Sequence, residues 1–252
     1  MLYDDIVVTG QRAMARSYAK INLTLDVLGK RPDGYHDVEM IMQTVSLYDM
    51  IIVDRCDEGI EITTNLKFLP INENNIAYKA ANEFFNYAKI NGGCKIIIHK
   101  NIPVAAGLAG GSGNAAAVLC ALDKLYNTNL SLDELKEIGV KLGADVPYCI
   151  TGGTALATGI GEIIAPLPSL PKCCILMVKP PISVSTASIY NQIDSAEIPN
   201  RPDTNAMIEA IADGNINDVA INLSNVMGTV TENMHPIIRG IKNKMIKNGA
   251  LG

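Results

Sequence analysis

A glycine- and alanine-rich stretch carries the residues best suited to bind phosphate. It reads Ile102-Pro103-Val104-Ala105-Ala106-Gly107-Leu108-Ala109-Gly110-Gly111-Ser112-Gly113. Its small side chains leave room for a ligand, and glycine permits the positive φ angles that turn N–H groups inward. A helix is predicted to begin near Ser112, and the N–H groups of a first helical turn attract phosphate oxygens. The stretch therefore predicts a phosphate-binding loop, with a turn that packs a helix closely on a sheet as the structural alternative.

Two common nucleotide motifs explain this loop poorly. The sequence contains no G-x-x-x-x-G-K-[ST], so the loop is not the common P-loop. The segment 111–116 fits the dinucleotide pattern G-x-G-x-x-A, which makes an oxidoreductase the first rival. That pattern should follow its strand at once, but about a dozen residues separate His99 from Gly111. The acids some twenty residues on, Asp133 and Glu134, begin a helix rather than end a strand.

Three other polar residues could take part in catalysis or binding, and each also has an ordinary structural explanation. Lys20 lies on the polar face of an alternating strand, Tyr18–Val27, and such a face usually meets water. His36 follows Tyr35 after a Pro-Asp-Gly turn, and this pair could stack on and hydrogen-bond a flat base. A histidine with purely structural partners is the default. Asp145 lies between a helix stop and a proline, where an aspartate is usually a turn residue.

The elements that must position these residues can be read from hydrophobic spacing. The predicted strands are Tyr18–Val27, Val38–Val45, Met50–Val53, Cys94–His99 and Cys173–Lys179, with a hairpin over Thr151–Glu162. The predicted helices are Asn75–Lys89, Ser112–Tyr126, Asp133–Leu142, a segment around Thr186 and Tyr190, Asn205–Ile211, Ile216–Val226 and Pro236–Lys247. Residues 1–16 are assigned no function and are interpreted as partly a non-native or alternative start. The proline-rich segment 166–171 is the best domain boundary.

Composition narrows the class of protein. The chain has 252 residues, enough for one large or two modest domains, and a formal net charge of −5, which argues against nucleic acid as a partner. No apolar run approaches the roughly eighteen residues of a membrane span, and the N-terminus is acidic. We therefore expect a soluble cytoplasmic protein with no membrane partner. The six cysteines lack metal-ligand spacing and are predicted to be core residues in a reducing compartment, so no metal ligand is assigned.

Four motifs, in order and spacing, resemble the GHMP kinase family, which includes galactokinase, homoserine kinase, mevalonate kinase and phosphomevalonate kinase. The motifs are Ala19-Lys20-Ile21-Asn22-Leu23, Arg31-Pro32-Asp33-Gly34-Tyr35-His36, the Pro103–Ser112 loop and Gly143-Ala144-Asp145-Val146-Pro147. The resemblance covers most of residues 17–252. The loop is shared across the superfamily, whereas the stretches at Lys20 and at Tyr35-His36 point to members that act on a cytidine-diphosphate-linked alcohol.

The resemblance implies an α+β fold, the GHMP kinase fold. Residues 1–165 would form an N-terminal module like ribosomal protein S5 domain 2, carrying the phosphate-binding loop. Residues 166–252 would form a C-terminal module of ferredoxin-like character, which is incomplete in this sequence. The nucleotide and the substrate would be held between the two modules. Composition and periodicity alone indicate only a mixed α/β protein with two modules.

The resemblance also implies an activity and a set of site residues. The activity is ATP-dependent phosphorylation of the 2-hydroxyl of cytidine-diphosphate-linked methylerythritol, in the non-mevalonate route to isoprenoids, with Mg²⁺ neutralising the triphosphate. Asp145 would be the catalytic base, with Lys20 beside it holding the carboxylate ionised. The implied ATP-binding residues are Lys100, Thr186 and the loop from Pro103 to Gly113. The implied substrate-binding residues are Asn22, Tyr35, His36, Met42 and Tyr190.

Two other functions remain open at this point. A GHMP kinase that acts on another small alcohol would leave Tyr35 and His36 without a base to bind. A non-catalytic nucleotide-binding protein would bind ATP without turning it over. The sequence says nothing of oligomeric state.

The last predicted helix, Pro236–Lys247, has an apolar face formed by Ile237, Ile241, Met245 and Ile246. Such a face needs a sheet to cover, and Cys173–Lys179 is the one clear strand predicted in the second module. We therefore expect this face to be exposed here, and the native protein to continue some thirty residues or so beyond Gly252, the usual size of a strand-loop-helix unit. A protein ending at Gly252 is expected to be a poor kinase.

Overall fold

The computed structural model describes residues 2–182, 184, 186–194, 198 and 200–252, with the side chains of residues 186 and 187 left out. The strands are β1 (Val7–Thr9), β2 (Arg12–Lys30), β3 (His36–Cys56), β4 (Gly59–Thr64), β5 (Gly93–His99), β6 (Thr154–Thr158), β7 (Ile163–Pro166) and β8 (Ser224–Asn225). The helices are α1 (Ile76–Ala88), α2 (Gly110–Tyr126), α3 (Leu132–Leu142), α4 (Asp145–Thr151), α5 (Thr186–Ile193), α6 (Thr204–Ala212), α7 (Ile216–Ile221), α8 (Val226–Met234) and α9 (Pro236–Lys247). In the described part of the chain, no helix has the length and apolar character needed to cross a bilayer.

The chain forms two compact units, each made of two chain segments. Unit 1 comprises Met1–Ile21 and Thr44–Gly152, and unit 2 comprises Asn22–Gln43 and Gly153–Gly252. The bounds of the units fall inside β2 and β3, so each of these long strands contributes residues to both units. The predicted domain division at residue 165 was placed at a proline-rich segment of the sequence rather than by compactness of the structure, and it stays a prediction.

In unit 1, helices pack against a mixed sheet that contains both antiparallel and parallel strand pairs. β1 pairs with β2, β3 pairs with β5 antiparallel, and β5 pairs with β4 parallel. Helix α2 packs against α1, α3 and α4, and every residue from Gly113 to Asp123 is buried. Because small alanine side chains dominate this segment, neighbouring helices can approach α2 closely. The central helix of the unit is therefore also the helix that follows the predicted phosphate loop.

Local signals at helix ends explain why unit 1 follows the sequence prediction well. Asn75 caps α1 by accepting a hydrogen bond from the Ala77 N–H at 3.0 Å. Ser131 and Glu134 form a complete capping box at the start of α3. The hydrogen bonds that Ser131 donates lower the pKa of the Glu134 carboxyl. These ends confirm the predicted helices over residues 75–89 and 133–142 to within a residue or two.

Several predictions for unit 1 were wrong. The segments 38–45 and 50–53 are parts of one continuous strand, β3, and the sequence reasoning missed β4 and α4. Residues 1–16, to which no structure was assigned, form β1 and the start of β2, with Leu2 and Ile6 buried in the core, and their interpretation as partly a non-native or alternative start stays a prediction. The buried cysteines Cys94 and Cys120 lie in unit 1, whereas Cys173 and Cys174 of unit 2 are exposed, which contradicts their assignment to the core.

Unit 2 contains a smaller set of paired strands and most of the remaining helices. Met40–Gln43 of β3 pairs antiparallel with β6, and β6 pairs with β7, which confirms the predicted hairpin near residues 151–162. Thr24 and Leu25 of β2 pair with the two residues of β8. The predicted helix over 216–226 is instead α7, β8 and the first residue of α8.

The end of the chain confirms one prediction and contradicts another. Helix α9 has no buried residue, and both Ile237 and Ile246 are 52% exposed, as expected for an uncovered apolar face. Residues 173–179, predicted as a strand, have no strand conformation and are exposed. A strand needs a neighbour for its N–H and C=O groups, and no strand among the described residues pairs with this segment.

Candidate active site

The predicted phosphate loop borders a cavity of about 450 Å³ within unit 1. The first residue of α2 is Gly110, and Ala109 before it is in the left-handed region with φ 54°. Ala109 offers no side-chain cap, so the N–H groups of the first turn have no side-chain partner at that position. The positive end of the helix dipole adds to their attraction for an anion. The geometry therefore leaves N–H donors where the sequence predicts phosphate binding, and the binding role of the loop stays a prediction.

Most of the predicted nucleotide residues line this cavity. Lys100 and every residue from Pro103 to Gly111 contribute to its wall, and Asp145 does as well. Ser112 and Gly113 follow in α2 and are not among the lining residues. Sequence reasoning missed the opposite part of the wall, which is formed by Leu69, Pro70, Asn74, Asn75 and Ile76. The only sequence signal there was the asparagine-rich approach to α1, which was interpreted as a helix start.

Lys20 and Asp145 meet at this cavity. The Lys20 Nζ lies 3.6 Å from Asp145 Oδ2, with side-chain exposures of 7% and 32%. The Lys20 N–H also donates to the carbonyl of Leu108 at 3.2 Å, which ties β2 to the phosphate loop. Lys20 therefore does not lie on a solvated face of its strand, and Asp145 is the first residue of α4 rather than a turn residue. A buried ammonium beside a partly exposed carboxylate can orient that carboxylate toward the cavity.

Burial affects the titratable side chains that follow Asp145. It raises the pKa of the Cys149 thiol and of the Tyr148 phenol well above their usual ranges, and the negative charge of Asp145 acts in the same direction on both. Tyr148 also forms a 3.1 Å hydrogen bond with Thr44 Oγ1. These two groups are therefore protonated at neutral pH and are poorly suited to act as bases. Asp145 is better placed for that role.

A second buried ion pair, which sequence reasoning missed, lies behind the loop. Lys100 donates to Asp49, a residue at 0% exposure in the middle of β3. Asp49 Oδ1 also accepts from the N–H groups of Asn101 at 2.7 Å and Ile102 at 2.8 Å. The sequence analysis left Asp49 between two predicted strands, 38–45 and 50–53, and assigned it no role.

The predicted base-binding residues lie in unit 2, and two of them are in contact. The rings of His36 and Tyr190 stack with centroids 4.6 Å apart and an interplanar angle of 16°. His36 Nε2 lies 2.7 Å from Asp194 Oδ1, and Lys30 lies 3.1 Å from Asp194 Oδ2. The bond from His36, with Lys30 nearby, lowers the pKa of the Asp194 carboxyl. A base stacked between these two rings would have to separate them.

The other predicted substrate residues are less closely grouped. Tyr35 is 61% exposed, and Asn22 is half-buried in β2. Met42 has 0% exposure in β3, so it does not contribute to an open pocket in this conformation. Thr186 begins α5, but its side chain lies outside the described part of the structure. The binding roles of these residues stay predictions.

Comparison with known proteins first defines the class. Residues 75–153 match the family model for the GHMP kinases N terminal domain, a span that contains the loop, α2 and Asp145. The fold is similar to that of a homoserine kinase from Cytophaga hutchinsonii, with a TM-score of 0.66 at 15% identity, covering 98% of this chain and 82% of that one. The protein thus has the GHMP kinase fold, which confirms the expected α+β class.

Comparison with more similar proteins then identifies the particular kinase family. The chain is 50% identical to a 4-diphosphocytidyl-2-C-methyl-D-erythritol kinase from Alkaliphilus metalliredigens over 96% of this chain and 84% of the relative. It is 53% identical to the same kinase from Alkaliphilus oremlandii over 94% of this chain and 82% of the relative. A crystal structure of 4-(cytidine 5'-diphospho)-2C-methyl-D-erythritol kinase matches with a TM-score of 0.77 at 30% identity, covering 94% and 83%. The chain belongs to the 4-diphosphocytidyl-2-C-methyl-D-erythritol kinase family and is a kinase.

Proposed function

We propose that this kinase uses ATP to phosphorylate the 2-hydroxyl of 4-diphosphocytidyl-2-C-methyl-D-erythritol, a step of the non-mevalonate route to isoprenoid precursors. The observation that carries this proposal is the contact of Lys20 with Asp145 at the wall of the cavity that the phosphate loop borders. Phosphoryl transfer needs a cradle for the phosphates and a group that accepts the proton of the attacking hydroxyl. The loop and Asp145 can supply these two requirements.

The residues suit a nucleotide triphosphate. The uncapped first turn of α2 offers N–H donors, and the glycines at 107, 110 and 111 keep side chains out of the approach to them. A volume of about 450 Å³ falls in the usual range for small-molecule pockets. We place the triphosphate of ATP along the loop from Pro103 to Gly113, with Lys100 at the side of the cavity.

Among the described residues, no cluster of three or more His, Cys, Asp or Glu side chains is arranged to hold a metal ion. Mg²⁺ commonly binds through phosphate oxygens and water with only one or two carboxylates, so this kinase does not need such a cluster. When bound with ATP, Mg²⁺ neutralises the charge on the phosphates. Asp145 is an acidic residue that lines the cavity and could contribute a carboxylate oxygen.

In the proposed reaction, Asp145 accepts the proton from the 2-hydroxyl as that oxygen attacks the terminal phosphate of ATP. Lys20, 3.6 Å from the carboxylate, orients it before the attack. The cytidine of the substrate would be recognised by Tyr35, His36 and Tyr190, with Asn22 and Met42 nearby and Thr186 close to ATP. Stacking and hydrogen bonding of the base would distinguish this substrate from smaller alcohols.

A coupled assay for ADP release tests the proposal. The purified protein is given ATP, Mg²⁺ and either 4-diphosphocytidyl-2-C-methyl-D-erythritol, homoserine or mevalonate. We expect measurable turnover of the cytidine substrate, even if it is slow, and none of homoserine or mevalonate. Turnover with homoserine or mevalonate instead would identify a different GHMP kinase. Binding of ATP without turnover of any alcohol would identify a non-catalytic nucleotide-binding protein.

A further inference from the structure

Asp49 is the centre of a buried hydrogen-bond network behind the phosphate loop. Its carboxylate accepts from the N–H groups of Asn101 and Ile102 and from the ammonium of Lys100. The Asn114 amide, oriented so that its nitrogen faces the surrounding acceptors, adds a fourth donor at 2.9 Å from Asp49 Oδ2. An ionised carboxylate can accept about four hydrogen bonds, so these donors occupy its full capacity.

These donors belong to both ends of the loop. Asn101 and Ile102 come directly before Pro103, where the loop begins. Asn114 lies in the first part of α2, where its amide nitrogen also donates to the carbonyl of Gly110 at 2.9 Å. One rigid carboxylate therefore joins the start of the loop to the start of the helix, and its position limits how far apart these two ends can lie.

The Lys100 ammonium lies between Asp49 and the start of α2. A Cβ atom added at Gly110 would lie 2.9 Å from Lys100 Nζ, so the ammonium packs directly against the first residue of α2. Lys100 is itself nearly buried, with a side-chain exposure of 5%, and its charge is balanced by Asp49. A buried ion pair often adds little net stability compared with apolar residues of the same volume, so stability alone is a weak explanation for this one.

We propose that Asp49 is a positioning residue for the nucleotide site, which fixes the geometry of the phosphate loop without touching the nucleotide. The inference rests on the proposed ATP site. Its essential interaction is the clamp that Oδ1 makes on the N–H groups of Asn101 and Ile102. Loss of the clamp should let the beginning of the loop move, which misaligns the N–H groups that face the phosphates.

A matched pair of variants isolates the clamp. Asp49→Asn retains an oxygen that can accept from Asn101 and Ile102, whereas Asp49→Ala removes it. Both variants are made in the Lys100→Met background, because the amide NH₂ of Asp49→Asn would otherwise face the Lys100 ammonium, donor against donor. The difference between them therefore reports the clamp rather than the ion pair.

The measurements are the KM for ATP, the KM for the cytidine substrate and amide hydrogen exchange at Asn101 and Ile102. We expect the ATP KM of Asp49→Ala to exceed that of Asp49→Asn by about ten-fold, the size of one net hydrogen bond of about 1.4 kcal/mol. The KM for the cytidine substrate should agree within about two-fold between the two variants. Exchange at both amides should be faster in Asp49→Ala. A merely structural role would not separate the two KM values in this way.

Equal ATP KM values and equal exchange in the two folded variants would overturn the proposal. If Asp49→Ala does not fold in this background, Asp49→Leu replaces it and is compared with Asp49→Asn, because leucine fills a similar volume and offers no acceptor to the N–H groups of Asn101 and Ile102. The same differences are expected within this second pair, and their absence would overturn the proposal equally. If the wild-type protein neither binds nor consumes ATP, the proposed function fails, and hydrogen exchange in the variants still decides whether Asp49 positions the loop.

Discussion

The ammonium group of Lys20 lies 3.6 Å from the carboxylate of Asp145, although one residue comes from the second strand and the other from the fourth helix. The lysine side chain is almost fully buried, and the aspartate remains open to the cavity beside the phosphate loop. Such a pair gives the aspartate a fixed positive neighbour while leaving one face accessible to a substrate hydroxyl.

Replacing Asp145 with Asn should lower kcat by roughly two or more powers of ten, because the amide cannot accept the hydroxyl proton. ATP binding should be largely retained, since the loop is unchanged. Steady-state kinetics and titration with an ATP analogue provide the two measurements. Asp133→Asn is the matched control, because Asp133 is exposed at the start of α3 and pairs only with Lys136 in the described structure. A near wild-type rate for Asp145→Asn would exclude Asp145 as the base.

Lys20→Met should lower kcat, and its effect should not add to that of Asp145→Asn. If Lys20 acts by orienting the Asp145 carboxylate, removing the lysine matters little once the carboxylate is gone. A double-mutant cycle on kcat measures this coupling. Additive losses would mean that Lys20 and Asp145 contribute independently, which would contradict a shared role.

Tyr190→Ala should weaken binding of the cytidine substrate much more than binding of ATP. Stacking of a base on an aromatic ring is worth about 1–3 kcal/mol in single-stranded nucleic acid complexes, which we take as the scale here. Tyr190 stacks on His36 in this structure, so its ring is already placed beside the other predicted base-binding residue. Tyr190→Phe retains the ring and should keep most of the affinity. Equal losses for both ligands would count against a base pocket at this position.

Two glycines in helices should respond to alanine in opposite ways. At Gly139 in α3, a Cβ atom would lie 2.8 Å from Cγ1 of the buried Val146, which follows Asp145 directly. Overpacking should lower the free energy of unfolding by about 1–3 kcal/mol. This loss should outweigh the gain of up to about 1 kcal/mol from the higher helix propensity of alanine. At Gly240 in α9, a Cβ atom would meet nothing within 4 Å, so only the gain remains. Thermal unfolding should show a lower Tm for Gly139→Ala and an equal or higher Tm for Gly240→Ala; a stabilised Gly139→Ala would mean that Val146 can move away.

Alkylation of the native protein should separate the cysteines by position. Burial raises the pKa of the Cys94 and Cys120 thiols to about 12, so at pH 8 they are protonated as well as inaccessible. Cys173 and Cys174 are exposed and should react first with iodoacetamide. Peptide mass spectrometry after short exposure measures the order, and the denatured protein, in which all six should react, is the control. Early labelling of Cys120 would show that α2 opens readily.

The sequence predictions were accurate where the hydrogen-bond partners of polar groups lie nearby in the sequence, and inaccurate where those partners lie far along the chain. The loop and α2 were predicted because their signals lie within a few neighbouring residues, whereas the role of Asp145 came only from the resemblance to the GHMP kinases, since its local sequence indicated a turn. β3 was divided in two because Asp49 interrupts its apolar pattern, whereas its partners lie at residues 100–102 and 114, far along the chain. α4 was missed because Pro147 suggested a turn, although a proline in the first helical turn costs no hydrogen bond.

The prediction of a strand at residues 173–179 was wrong because the local sequence does not show whether a pairing strand is present. Its apolar β-branched run is typical of a strand, but a strand forms only where another strand accepts its hydrogen bonds. None of the described strands does so, and the segment is exposed. The local pattern thus indicated that this segment could form a strand, but it could not show whether another strand would pair with it.

The two-segment composition of each unit has a consequence for synthesis on the ribosome. Residues 22–43 emerge before most of unit 1, yet the partner of Met40–Gln43 in unit 2 is Ala157 to Thr154, made more than a hundred residues later. Unit 1 can complete its own chain segments at Gly152, while Met40–Gln43 of β3 still await β6, and Thr24 and Leu25 of β2 still await β8. During translation this stretch therefore presents strand edges that stay unpaired until the rest of unit 2 has been synthesised.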